Sequence, residues 1–179
     1  VLAHVGLFDE RMFAYYEDVD LSWRLRLAGY RISRCPEAVV YHRGSATVDG
    51  AAGPRLRRAL VRLTTRNQIR TLLKNYAPGS LARFLPLLLL LKLARAAAYG
   101  LELRVGDAFR ILGGLAWNVA MLPDTWRARM AVQRLRRVGD RVILDAMYWG
   151  FHPQMIGLPE GHALARLLVR LQLAGVLRG

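Results

Sequence analysis

The chain has 179 residues, 54% of them apolar, and it carries 27 Lys and Arg against 13 Asp and Glu, for a formal net charge of +14. This apolar content excludes a disordered tail, and the length suits one domain, or one domain with an appendage. The single cysteine, Cys35, excludes an internal disulfide and a cysteine-based metal cage.

The charge divides the chain into two regions, 1–50 and 51–179. The first holds six Arg and seven acids, for a net charge of −1, whereas the second carries +15. A surface this basic attracts a polyanion, either nucleic acid or the anionic face of a membrane. A solvated basic helix surface would have the same composition, so this alternative stays open.

The first predicted element is a helix over residues 18–28. Leu21, Leu25 and Ala28 recur at i, i+4 and i+7, and acidic residues crowd the first turn. Gly29 stands where a glycine commonly ends a helix. Two short β-type runs follow at 30–34 and 38–42, separated by a proline.

Two carboxylates, Glu17 and Asp18, lie at the start of this helix. The helix dipole would keep them ionised, which suits a general base, although acidic residues in a first turn more often serve as caps. Asp20 and Arg24 stand four residues apart and predict an intrahelical ion pair. A calcium loop is excluded, because its sixth and twelfth positions would be Trp23 and Gly29.

A series of motifs over residues 6–45 resembles a known family. The motifs are Gly6-Leu7-Phe8-Asp9-Glu10, the run from Phe13 to Arg24, Gly29-Tyr30, and His42-Arg43-Gly44-Ser45. In this order and spacing they resemble the C-terminal half of a family 2 glycosyltransferase catalytic domain, of the bacterial rhamnosyltransferase-like subgroup. The resemblance implies an α/β fold of GT-A type for residues 1–50, followed by a mainly α-helical region.

The resemblance also implies a set of site residues. Asp18, with Glu17, would supply the catalytic base of an inverting sugar transfer, and His42 resembles a ligand of the divalent cation, Mg or Mn. Asp20, Trp23 and Arg24 would bind the acceptor or support the site. The nucleotide-binding half and the Asp-x-Asp motif that holds the cation are expected upstream of residue 1. We therefore expect this segment alone to be inactive.

The second region is predicted to be helical. Residues 55–76 form a basic amphipathic pattern whose arginines suit a solvated face, and Arg66-Asn67 and residues 73–76 resemble the segment after the catalytic domain in the same transferases. The leucine-rich run within 80–103 is interrupted by Lys92 and Arg95, which argues against a transmembrane span. It suits either a helix in the membrane interface or a buried hairpin partner of helix 55–76.

Further helices are predicted at 104–120, 125–138 and 162–175. Arginines concentrated between residues 127 and 141 add basic charge where anionic lipid could be met. No internal repeat of 20–50 residues is visible.

Two functions of different classes follow. The first is an inverting glycosyltransferase acting on the cytoplasmic face of a bacterial membrane. It would move a sugar such as rhamnose from a nucleoside-diphosphate sugar to a glycan or lipid-linked acceptor in cell-surface polysaccharide synthesis. The second is a non-enzymatic nucleic-acid-binding protein. We favour the first and expect no nucleic acid partner, since no zinc-finger spacing or RNA-binding aromatic signature is present.

Overall fold

A computed structural model describes residues 1–33, 35–41 and 53–146, with side chains of the long helix 53–75 described from residue 59 onward. These ranges contain one short 3-10 helix, Glu10–Met12, and seven α-helices. The α-helices are α1 (Leu2–Val5), α2 (Glu17–Leu27), α3 (Gly53–Asn75), α4 (Pro78–Leu101), α5 (Val105–Ala120), α6 (Leu122–Leu135) and α7 (Asp140–Leu144). The described residues from Val1 to Ile143 belong to one compact unit.

The helices predicted at 18–28, 55–76, 80–103, 104–120 and 125–138 are confirmed, with ends that differ by up to three residues. The helix predicted at 162–175 lies outside the described residues.

The predicted α/β fold is wrong for the described part of the chain. Residues 30–33 and 35–41, where β-type runs were predicted, contain no strand. Val40 and Tyr41 are 82% and 96% exposed. A β-run needs a neighbouring strand for its backbone groups and a second layer for its apolar side chains. The described residues provide neither, so the local β preference of these runs has nothing to pair with.

Helix α2 ends as its sequence predicts. Gly29 has a φ of 86°, in the left-handed region. Its N–H donates to the Arg26 carbonyl at 2.9 Å, and the Tyr30 N–H donates to the Leu25 carbonyl at 3.0 Å. These two bonds form the closing pattern in which a glycine satisfies the last carbonyls of a helix. The end of α2 is therefore determined locally.

Helix α3 is the centre of the compact unit, and it contacts α2, α4, α5 and α6. Its C-terminal carbonyls are satisfied by side chains of α6. Arg129 donates to the carbonyls of Leu73 and Tyr76 at 2.5 and 2.8 Å, and Gln133 donates to the carbonyl of Lys74 at 2.9 Å. Arg129 belongs to the arginine cluster predicted to meet lipid, but it is buried and caps a helix end instead.

Helices α3 and α5 approach closely at Gly114. A Cβ atom at this position would lie 2.9 Å from the Thr65 Cβ and 3.1 Å from the Arg62 carbonyl oxygen. Close packing continues where Ala96 and Tyr99 of α4 meet Ile111 of α5 in the apolar core. One close backbone contact thus joins α3 to α5, and one small apolar cluster joins α4 to α5.

Candidate functional site

The two carboxylates predicted to carry catalysis begin α2, but their environments differ. Asp18 is exposed, and its Oδ1 accepts the Val19 N–H at 2.8 Å. Glu17 is half-buried, and its Oε2 is buried with no hydrogen-bond partner among the described residues. Asp18 therefore partly caps its own helix and still presents its carboxylate to solvent. Asp18 is therefore the more exposed of the two carboxylates.

Asp20, on the same helix, lies in the interior between α2 and α3. Its Oδ2 accepts from Arg24 Nε at 2.9 Å and from Lys74 Nζ at 2.9 Å, and its Oδ1 accepts from Asn75 Nδ2 at 2.9 Å. Asp20 is completely buried, and Lys74 and Arg24 are nearly so. A buried carboxylate needs such compensation, because an unpaired charge in the interior is costly.

The same network continues to the turn before α2. Lys74 Nζ also donates to Asp9 Oδ2 at 2.6 Å, and Arg70 Nε donates to that oxygen at 2.8 Å. Arg70 further bonds Asp124 at 2.8 Å and the Thr125 hydroxyl at 2.8 Å, both on α6. Burial alone would raise the pKa of Asp9, but Arg70 and Lys74 lower it to about 2. This network joins α2, α3 and α6 around buried charge.

Arg24 connects α2 to the N-terminal segment. Its guanidinium donates to the Val5 carbonyl at 2.7 Å, to the Gly6 carbonyl at 3.3 Å and to the Leu7 carbonyl at 2.6 Å. Arg24 therefore satisfies carbonyls at the end of α1 while it pairs with Asp20. Both residues support the site from the interior, and neither offers a free group to an acceptor.

Trp23 also lies inside the protein. Its ring meets Tyr76 edge-on, with centroids 4.7 Å apart, and Tyr76 stacks on Phe84 at 5.2 Å. Burial, followed by the nearby charge of Asp140, raises the pKa of Tyr76 to about 12. The ring of Trp23 is thus part of the packing between α2, α3 and α4, and an acceptor sugar has no access to it.

The network contains residues whose role the sequence did not indicate. Arg70 and Lys74 were expected on a solvated face of α3, and Asp9, Asn67 and Asn75 had no assigned role. The signal was available, because residues 67, 70, 71, 74 and 75 share one face of a helix by their spacing. Long polar side chains along one face suit water equally well, and only the position of α2 shows that this face is buried.

The metal prediction has no support among the described residues. They contain no group of three His, Cys, Asp or Glu side chains that could hold a metal ion. His42 lies outside the described residues, and two of the described acids, Asp9 and Asp20, are already paired with Lys74. The divalent cation therefore stays a prediction.

Among the hollows of the described surface, two lie away from the start of α2. One, of about 420 Å³, lies beside the end of α2 and includes Arg26 and Arg31 in its lining. The other, of about 610 Å³, is apolar and lies between α4 and α6, beside Leu85, Trp126 and Met130. Neither is lined by Glu17 or Asp18. The exposed side chain of Asp18 therefore lies outside both of these hollows.

No family model, curated protein or solved structure matches this chain.

Proposed function

We propose that this chain carries the acceptor-activating part of an inverting glycosyltransferase, with Asp18 as the general base. The proposal concerns the reaction and does not include an α/β fold for the described residues. The sequence motifs around Glu17 and Asp18 suggest the chemistry. The observation that carries the proposal is the exposed carboxylate of Asp18 at the start of a helix that is anchored by buried charge.

A general base needs a fixed position and an accessible carboxylate, and Asp20 and Asp18 supply these two features separately. Asp20 fixes α2 through Arg24, Lys74 and Asn75, and these contacts leave it no free lone pair directed at solvent. Asp18, two residues earlier, has one backbone N–H partner and an exposed side chain. A rigid support beneath an accessible carboxylate holds the base in one geometry.

The proposed step is a single displacement. The carboxylate of Asp18 takes the proton from an acceptor hydroxyl as the hydroxyl oxygen attacks the anomeric carbon of a nucleoside-diphosphate sugar. The new bond to the acceptor oxygen forms as the bond to the diphosphate breaks, and the nucleoside diphosphate leaves with that electron pair. Asp18 lies in the first turn of α2, at the positive end of the helix dipole.

The test compares Asp18→Asn with the wild type in the intact protein. Transfer from radiolabelled dTDP-rhamnose or UDP-glucose to lipid-linked glycan would be measured with Mg²⁺ or Mn²⁺ present, and donor binding would be measured by calorimetry. Loss of a general base lowers kcat by about 100-fold or more and leaves ground-state binding within a few-fold.

Glu102→Gln is the matched control, because Glu102 is an exposed acid in the turn between α4 and α5. It should transfer sugar at the wild-type rate. Turnover of Asp18→Asn close to that of the wild type would remove Asp18 from the mechanism, and with it the proposed function.

We infer a second property, contact with an anionic membrane surface, from the outer sides of α4 and α5. Only 17% of the most apolar window of α4 is buried, and this helix is long and apolar enough to cross a membrane by length and composition alone. Along α5, exposed apolar residues recur at helical spacing. They are Val105, Phe109, Leu112 and Val119. Such stripes suit a helix that lies in the membrane interface.

Lys92 and Arg95 of α4 are not the charged residues that would meet the lipid head groups. In an interfacial helix Lys92 and Arg95 would extend toward head groups, but Lys92 is 6% exposed and Arg95 donates to the Tyr99 hydroxyl at 2.6 Å. Exposed arginines lie on α4 itself, at Arg83, and on neighbouring segments, at Arg104 and Arg127. Their charge complements anionic lipid, while the apolar stripes would enter the acyl boundary.

The membrane test uses vesicles of phosphatidylglycerol and of phosphatidylcholine, with the wild type, Leu90→Ser with Phe109→Ser, and the control Val40→Ser. All three positions are exposed, so folding should be unchanged. We expect sedimentation with phosphatidylglycerol vesicles that the double variant loses and the control keeps. No sedimentation at low salt would refute the membrane contact. Salt-sensitive retention of DNA that is equal in all three proteins would support the nucleic-acid alternative.

A further inference from the structure

The backbone immediately before Glu17 is strained. Phe13 has φ 63° and ψ −65°, and Tyr15 and Tyr16 both have φ 70°, although none of them is glycine. The Ala14 N–H donates to the Met12 carbonyl at 2.7 Å, which makes Phe13 the centre of a γ-turn of the rare positive-φ kind. Each such residue costs about 1–3 kcal/mol and persists only where its surroundings enforce it.

One buried side chain on α3 supplies most of that enforcement. The Nδ2 atom of Asn67 lies 2.9 Å from the Met12 carbonyl oxygen, 2.9 Å from that of Ala14 and 2.7 Å from that of Tyr15. Asn67 is completely buried. Since a carboxamide has two N–H groups, the three carbonyls share two hydrogens. The positive φ values turn these carbonyls inward to meet it.

Arg66 completes the arrangement. Its Nε donates to Asn67 Oδ1 at 3.1 Å, which directs the Nδ2 end of the carboxamide toward the turn. Its Nη2 donates to the carbonyls of Arg11 and Met12 at 3.1 Å each. The guanidinium rests 4.8 Å from the ring centroid of Trp117 on α5. The strained turn is therefore held by two adjacent residues of the central helix.

We propose that Asn67 is the positioning residue for the base: it holds residues 13–16 on their strained path so that α2 starts with Asp18 facing solvent. This rests on the proposed function. Asn67 does not contact Asp18, and it acts through the backbone of Tyr15 and Tyr16. Relaxation of the left-handed Tyr16 would redirect the first turn of α2, and displacements of about 1 Å at a reacting group can cost 100-fold in rate.

The experiment uses Asn67→Ala in the intact protein, with Asn118→Ala as the matched control. Asn118 is also a buried carboxamide that donates to carbonyls, those of Arg66 and Gly114, but it does not contact the turn. We expect Asn67→Ala to speed amide hydrogen exchange at residues 14–18 by about tenfold or more relative to residues 96–99 of α4. It should lower kcat by a similar factor with the donor KM within threefold, and the control should do neither.

A second variant tests whether strain is the cause, and it guards against a general loss of folding. Phe13 is 79% exposed, so Phe13→Gly removes little packing and lets the γ-turn form without its steric cost. Added to Asn67→Ala, it should return exchange at residues 14–18 toward the wild-type rate. If the double variant exchanges as fast as Asn67→Ala, strain is not what Asn67 opposes, and the proposal is wrong.

The outcomes separate this proposal from the proposed function. Full activity of Asp18→Asn would refute the function, whereas the exchange measurements still report on the turn without any substrate. If Asp18→Asn is inactive while Asn67→Ala has normal kcat and normal local exchange, the base stands and the positioning role fails. A loss of activity in Asn67→Ala that only follows its unfolded fraction would likewise reduce Asn67 to a structural residue.

Discussion

Two regions of the molecule reverse the usual relation between hydropathy and burial. One is the junction between α2 and α3, and the other is the outer side of α4 and α5. At the junction, Asp20, Arg24 and Lys74 are each at most 5% exposed. On α4 and α5, Leu90 is 64% exposed and Phe109 is 68% exposed. The most polar contact of the described unit is thus internal, and its most apolar helix is mostly uncovered.

The difference shows that complementarity, more than the hydropathy of single residues, determines what is buried here. Asp9, Asp20 and Asp124 supply three negative charges to the junction, and Arg24, Arg70 and Lys74 supply three positive ones. Paired in this way, the charges tolerate the loss of water. The leucines of α4 carry no charge that needs a partner, so contact with any apolar surface would be enough to bury them. The predictions below test the two regions against each other.

The largest effect is expected from Asp20→Asn. The substitution keeps the shape of the side chain but leaves the buried cations of Arg24 and Lys74 with too little negative charge. Breaking a buried ion pair in this way costs about 3–5 kcal/mol in the free energy of unfolding. Urea denaturation measures it, and Asp107→Asn on the surface of α5 is the control. A change of about 1 kcal/mol or less in both variants would mean that the junction is not held by charge.

The next effect is steric, and it concerns two adjacent glycines of α5. Gly114→Ala places a methyl group 2.9 Å from the branched side chain of Thr65, and we expect a loss of about 1–3 kcal/mol. Gly113→Ala has its nearest neighbour at 3.7 Å, the end of the Arg62 side chain, and should be neutral or stabilising by up to about 1 kcal/mol. Thermal unfolding of the pair measures the contrast. Equal melting temperatures would show that α3 and α5 do not approach this closely.

Acid should weaken the junction through Asp9. Its pKa is about 2 in the folded protein and below its ordinary value, so its stabilising effect is complete above that ordinary value and is lost as the pH falls toward 2. Because the group keeps some contact with water, the loss should be about 1–2 kcal/mol. Denaturation midpoints between pH 5 and pH 2 report it. Asp9→Asn should flatten this part of the pH profile, and an unchanged profile would contradict the assignment.

The free energy of unfolding should increase at alkaline pH because of Lys92 in the apolar helix α4. Burial, and then the charge of Arg95, lower the pKa of Lys92 to about 8. Between pH 8 and its ordinary value the unfolded chain binds more protons than the folded one, so stability rises with pH by about 1–2 kcal/mol. Lys92→Met should raise the stability at pH 7 and remove that rise. A lower stability of Lys92→Met at pH 7 would mean that the ammonium is well paired.

The sequence predicted the helices better than their surroundings. The heptad-like apolar spacing of α3 and the glycine at the end of α2 are local signals, and both were sufficient. By contrast, the β-type runs after Gly29 had the right residues and no partner strand among the described residues. The α/β prediction failed because strand formation depends on distant segments, whereas helix hydrogen bonds lie within one segment.

The residues of the candidate site also fall into two groups, those that local sequence predicts and those that it does not. The motifs of the sequence predicted Glu17 and Asp18 as site residues. The i, i+4 spacing predicted the ion pair between Asp20 and Arg24. Each of these predictions depends only on residues that are close along the chain. The partners Lys74 and Asn75 lie more than 50 residues away. No local pattern distinguishes a lysine that meets water from one that meets a buried carboxylate.

The sequence by itself therefore determined the helices, the end of α2 and the position of two acidic residues at the start of α2, because these depend on contacts within a few residues. Tertiary structure alone decided that Asp18 is accessible while Asp20 is buried, that Asn67 holds a strained turn, and that the polar side of α3 is inside. These features arise where α2 and its preceding turn meet α3, and the free energy of a charge or an amide depends on what the opposite helix places against it.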